Sequence, residues 1–198
     1  MKKNTAWYNI DILPNEMIAG ANGSKGWPKL EDSEHFKTLK ELISLSNPSK
    51  MADIGCGAGE LGRIYKENNY VGYDLPHIID KVARIVNPNI NFEYFDAYEF
   101  DYTNFKKFDL LVCNGFISEL TEPMYVIEKL INNSEKSLII HRQFFGEQNN
   151  LVNYSTYGNL STPRCIIKIE DLEKLLTKHT ITKFVNGIWG DSVLIERI

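Results

Sequence analysis

Cysteine is scarce in this chain of 198 residues. Cys56, Cys113 and Cys165 stand far apart, form no Cys-x-x-Cys pair and supply no secreted disulfide framework. The 4 histidines show no clustered ligand spacing, so no structural zinc site is expected. Basic charge is also short. Lys and Arg total 22 against 26 Asp and Glu, a net charge of -4, which lacks the footprint of a nucleic-acid binder. No apolar run approaches the ~20 residues that span a bilayer. Met1, Lys2 and Lys3 are followed by no apolar segment of the signal-peptide kind. The expectation is a cytoplasmic protein with reduced thiols and no metal, membrane or nucleic-acid partner.

What is present is ordinary globular composition, with 43% hydrophobic and 24% charged residues. The length suits one domain over 1–198, with no linker or internal repeat to divide it. Residues 1–32 carry Trp7, Tyr8, Pro14, Trp27 and Pro28 without sustained periodicity and are expected to form an irregular, aromatic arm. From Ser33 onward, helical and strand patterns alternate. Short runs at about Lys50–Ile54, Tyr70–Tyr73, Ile90–Phe95, Phe108–Cys113 and Ser137–Ile140 read as strands with helical rhythms between them, and Ile181–Ile188 and Val193–Ile198 as the last two strands. Such alternation predicts βαβ units and a doubly wound, seven-stranded, mostly parallel sheet with helices on both faces. Residues 143–168 are rich in Asn, Tyr, Ser and Thr, lack one clear period and read as a polar, aromatic insertion after the fifth strand.

Ligands of open α/β sheets bind beyond the carboxyl ends of the strands. Those ends carry Asp53 with Gly55, Cys56 and Gly57, then Asp74, Asp96, Asn114 and His141. Five consecutive strand ends with polar or glycine residues form a constellation. Gly57-Ala58-Gly59-Glu60-Leu61-Gly62 literally fits the GxGxxG dinucleotide fingerprint. An NAD site is nevertheless the least favoured reading, because Asp53 intrudes on the strand and little chain remains for a substrate domain.

Asp53-Ile54-Gly55-Cys56-Gly57-Ala58-Gly59 resembles the first motif of class I S-adenosylmethionine-dependent methyltransferases. Val71-Gly72-Tyr73-Asp74, Phe95-Asp96-Ala97 and Phe108–Asn114 resemble the second, third and fourth strand motifs of the same family. Ser118-Glu119 departs from the acid–histidine pair that many members carry there. The resemblance implies an antiparallel final strand, an insertion at 143–168 that faces the substrate, and S-adenosyl-L-methionine as the cofactor. It implies that Gly55, Cys56, Gly57 and Gly59 line the methionine and ribose part, and that Asp53 orients the amino group. Asp74, with Leu75 beside it, would accept the ribose hydroxyls, Asp96 and Ala97 would meet the adenine, and Asn114 would face the methionine end. Cys56 and Cys113 also fit the description of small buried fillers.

Methylation of an alcohol needs a base. His141 titrates near neutrality and ends the fifth strand, and Glu119 follows the fourth; these are the candidate catalytic residues. His35 and His179 fall in predicted helices and are expected at the surface. Trp27, Arg142, Tyr154, Tyr157 and Arg164 are candidate substrate-binding residues, since rings and guanidinium forks suit a polyhydroxylated or anionic small molecule. Absence of an Asn-Pro-Pro-Tyr signature after Asn114 argues against methylation of a base or amide nitrogen. The expected acceptor is a small polar metabolite, methylated on an oxygen of a sugar or sugar-linked compound. The alternatives are an amine, protein or RNA acceptor, or a non-catalytic binding subunit. The chain also faintly resembles small bacterial methyltransferases of surface-polysaccharide pathways.

Overall fold

The computed structural model describes residue 7 and residues 13–24, 26–156 and 160–198. Its elements are α1 (Leu13–Ala21), α2 (Glu34–Ser46), β1 (Met51–Ile54), α3 (Glu60–Tyr65) and β2 (Val71–Asp74). A helix α4 then runs Pro76–Ile78 as α, Ile79–Ala83 as π and Arg84–Val86 as α. Next come β3 (Phe92–Tyr94), β4 (Leu110–Asn114), α5 (Pro123–Asn133), β5 (Ser137–Gly146), β6 (Asn150–Thr156), β7 (Leu160–Lys168), α6 (Ile169–Lys174), β8 (His179–Val185) and β9 (Asp191–Arg197).

Strands β3, β2, β1, β4 and β5 pair in parallel, in that order. β9 runs antiparallel to β5, and β8 antiparallel to β9. These seven strands are the expected sheet with its antiparallel closing strand. A second branch leaves the upper end of β5, where Phe144 to Gly146 pair with β7, and β7 pairs antiparallel with β6. The described residues therefore hold 9 strands and not seven. The segment read as an insertion is a β-hairpin that widens the sheet.

The continuous apolar strands are explained by burial on both sides. Ala52 and Ile54, Leu111 and Cys113, Leu138 and Ile140, and Val193 and Ile195 belong to one core with α5 and the 3₁₀ turn at Phe105. Met51, Leu110, Val112, Ile139 and Leu194 belong to the other, against Leu39, Leu42 and Ile43 of α2. Alternate residues of each strand thus feed opposite cores, the period-2 geometry of a covered sheet.

That parity changes once in β5. The pairing with β9 slips between His141 and Gln143, and Arg142 has φ 59, unusual for a side chain with a Cβ. One extra residue reverses the facing of the strand beyond it. His141 lies on the α2 side, hydrogen-bonded to His35. Gln143 lies on the other, where its Nε2 donates to the Cys165 carbonyl at 3.0 Å.

The N-terminal arm differs from expectation. Leu13–Ala21 is a helix, and its Ala21, Met17 and Ile18 pack with Ala58, Ile78 and Val82. α2 ends as expected: Asn47 takes a left-handed φ of 44 and its N–H reaches the Ile43 carbonyl. His179 is not a surface helix residue; it starts β8 and is buried at 7% exposure.

Candidate functional site

A cavity of about 630 Å³ opens at the carboxyl ends of β1, β2 and β4. The chain enters it through the turn after β1. Gly55 has φ 73, and a Cβ there would collide with the Phe116 ring. Gly55 and Cys56 give their N–H groups to the Tyr73 carbonyl at 2.8 and 3.0 Å, which ties the turn to β2. Gly59 also has a left-handed φ of 73 and leads into α3, but it does not line the cavity. A Cβ on Gly59 would run into Phe92, so this glycine is needed for close packing. Gly55, Cys56, Gly57 and Ala58 form the wall itself.

Asp74 closes the turn from the other side. Its Oδ2 accepts the Gly57 N–H at 2.8 Å and its Oδ1 the Leu75 N–H at 2.7 Å. Each carboxylate oxygen keeps a further lone pair for a ligand donor. Burial raises its pKa to about 6, against the pull of those two backbone bonds. Asp53 is buried at 3% exposure and accepts the Tyr70 hydroxyl at 2.7 Å. Burial, with Asp74 and Glu60 nearby, raises it to about 7 against the pull of the Tyr70 bond. Two carboxyls of raised pKa in one cavity make a site that gains from a cation.

Leu75, Phe95, Ala97 and Tyr98 continue the wall. Asp96 does not. Its Oδ1 accepts the Tyr98 N–H at 3.0 Å, the work of a turn cap. Asn114 lines the cavity and accepts the Arg142 Nε at 3.0 Å. Arg142 lines it too, because the bulge turns its guanidinium over Gly115, whose own φ is 71. Glu119 is another lining residue. Burial raises its pKa, opposed by the charges of Arg164 and Arg142.

His141 is not at the wall. It is 2% exposed, and both ring nitrogens are engaged: Nε2 with His35 Nδ1 at 3.1 Å, Nδ1 with Ser192 Oγ at 2.7 Å. Burial, then the neighbouring His35 and Arg142, depress it to about 3. The imidazole on the wall is that of His35, a residue expected at the surface. Nothing in a linear reading links it to His141, 106 positions away.

Trp27 lines the cavity, half-exposed. So does Trp189 of the β8–β9 connection, which sequence reading missed. Its signal was the aromatic set between Gly187 and Gly190. Arg164 lies elsewhere, its guanidinium 4.6 Å above the Phe144 ring. Tyr157 and the side chain of Tyr154 lie outside the described residues. Cys113 is a buried filler between β1 and β5. Among the described residues, no group of three or more His, Cys, Asp or Glu is placed to hold a metal ion. No described helix is long and apolar enough to cross a membrane.

The family model described as methionine biosynthesis protein MetW matches residues 33–164, which span β1 to β7 and most of the cavity wall. The chain belongs to the MetW family. Solved structures with the same fold include SAM-bound CalS10, an amino pentose methyltransferase from Micromonospora echinaspora, at 14% identity and TM-score 0.62 over 85% of this chain and 94% of that one. An S-adenosylmethionine-dependent methyltransferase from Clostridium acetobutylicum aligns at 14% identity and TM-score 0.59, over 84% of this chain and 93% of that one. The N-terminal domain of EvdMO1, solved with SAH and D-fucose, aligns at 12% identity and TM-score 0.56, over 83% and 84%. No curated protein matches the chain. This MetW-family chain thus has the class I methyltransferase fold.

Proposed function

We propose that this MetW-family chain binds S-adenosylmethionine in the cavity and transfers its methyl group to a small polar acceptor, most simply an oxygen of a sugar or sugar-linked compound. The observation that carries the reading is the meeting of Asp53, Asp74, Asn114 and the bare backbone of Gly55 and Gly57 on one wall. When bound, the cofactor supplies a methyl group on a cationic sulfur that departs as a neutral thioether. Asp74 would accept the ribose hydroxyls with the lone pairs its two backbone bonds leave over. Asp53 would ionise against the amino group. Leu75, Phe95 and Ala97 would hold the adenine ring, and Asp96 would set the backbone beside it.

Trp27 and Trp189 stand where the cavity meets solvent, at 47% and 56% exposure. Rings in that position, with Glu119 and Arg142 deeper in, suit a polyhydroxylated acceptor. The amino pentose of CalS10 and the D-fucose of the EvdMO1 complex support a sugar. A second reading is favoured by the family's description, methionine biosynthesis: a cofactor-binding subunit of that pathway without turnover.

Methyl-labelled S-adenosylmethionine, incubated with the folded chain and a small-molecule cell extract, separates these. Label passing into a metabolite with matching S-adenosylhomocysteine supports the enzyme. Cofactor binding without transfer supports the subunit, and no cofactor binding rejects both.

A further inference from the structure

Three polar groups run in line from the cavity wall inward: half-buried His35 Nδ1 to buried His141 Nε2 at 3.1 Å, then His141 Nδ1 to buried Ser192 Oγ at 2.7 Å. They come from α2, β5 and β9. His141 and Ser192 are each 2% exposed. Only His35 reaches the wall, and its Nε2 has no partner among the described residues. Resting on the methyltransferase reading above, we propose that His35 is the catalytic base, that His141 and Ser192 hold its tautomer, and that the acceptor is an alcohol hydroxyl bound at His35 Nε2.

The chain of hydrogen bonds runs in one of two directions. In one, His35 Nδ1–H donates to His141 Nε2, and His141 Nδ1–H donates to Ser192 Oγ, leaving a lone pair on His35 Nε2. In the other every proton is shifted and Nε2 carries a hydrogen. Arg142 is the cation whose charge bears on both rings. It lines the same cavity, where a sulfonium would add a second positive charge. Positive charge on that side favours the lone pair facing it. A neutral imidazole held by a second polar group in a fixed tautomer is the arrangement of a general base.

In the step, the acceptor oxygen bonds to the methyl carbon as the carbon–sulfur bond breaks and its electron pair stays on sulfur. The hydroxyl proton passes to His35 Nε2. The products are a methyl ether and S-adenosylhomocysteine, and the imidazolium afterwards returns its proton to water. His35 is depressed to about 4, by burial and then by Arg142, so it is a weak base. It is strong enough for an alcohol, because the attacking oxygen becomes an oxonium far more acidic than an imidazolium. An amine attacks through its own lone pair and needs no base for the transfer, so a base held at this wall has work only with a hydroxyl acceptor.

Nitrogen-15 NMR of the histidine rings with S-adenosylhomocysteine bound, near neutral pH, tests the assignment without knowing the acceptor. The expected spectrum shows His35 protonated at Nδ1 and bare at Nε2, and His141→Gln mixes the tautomers. A hydrogen on His35 Nε2 overturns the proposal. In turnover with a small-molecule extract, His35→Gly should lose ~10²-fold while keeping its calorimetric affinity for S-adenosylhomocysteine, and added imidazole should restore rate. A wild-type rate in that variant also overturns the proposal. Failure of the wild-type chain to bind S-adenosylhomocysteine sinks the underlying methyltransferase reading instead.

Discussion

Asp53 shows how one carboxyl couples folding, pH and ligand charge. Unfolded it titrates near 3.8, and in the folded chain at about 7 because of burial first and of Asp74 and Glu60 after it. Between those values the folded chain holds the extra proton. Stability must therefore fall as pH rises across that window, opposite in sign to a salt-bridged aspartate. Asp53→Asn should flatten that fall, as read by denaturant unfolding at pH 5 and pH 8. A bound cation favours the ionised carboxylates of Asp53 and of Asp74, itself raised to about 6. Affinity for S-adenosylmethionine should accordingly rise several-fold from pH 5 to pH 8. Calorimetry in buffers of different ionisation enthalpy would show the protons released, and a flat profile would contradict the shared-cavity electrostatics.

At the scale of elements, the bulge in β5 is the device that brings Arg142 to the site. Its left-handed φ of 59 costs a residue with a Cβ about 1 kcal/mol, and the bond from Nε to Asn114 returns a similar amount. Arg142→Gly should leave stability within about 1 kcal/mol of wild type and lower methyl transfer at least ~tenfold. Unchanged transfer would make the arginine a structural plug. The bulge was invisible in the sequence, where Ser137 to Ile140 reads as a plain apolar run. The strands β1, β2, β4 and β5 were legible for the opposite reason, since covered strands need apolar side chains at every position and polar ends mark their limits. The β6–β7 hairpin was not, because Asn150, Leu151, Val152 and Asn153 are exposed and carry no alternation. α1 was hidden by Pro14 and Gly20, although proline sits well in a first helical turn. The glycine turn, Asp53 and Asp74 were legible as a local motif. His35 was not, because its partner is fixed only by the packing of α2 on β5.

Taken whole, the molecule assembles its cavity from distant parts of the chain: α1 and Trp27, the strand tips, and Trp189 of the β8–β9 connection. Occupancy should therefore stabilise the entire sheet. Ligand at 100 times its dissociation constant adds about 2.7 kcal/mol, which for a chain of this size raises the melting temperature by roughly 5–10 °C. A thermal-shift series with S-adenosylhomocysteine reads this directly, and Asp74→Asn should abolish most of the shift. A melting point indifferent to ligand would mean that these walls do not close on it.

A crystal structure of the chain grown with S-adenosylhomocysteine decides most. The ribose hydroxyls should lie within hydrogen-bond reach of the Asp74 carboxylate, with the amino group beside Asp53 and the sulfur near Asn114. Ligand density elsewhere, with Asp53 and Asp74 untouched, would contradict the account.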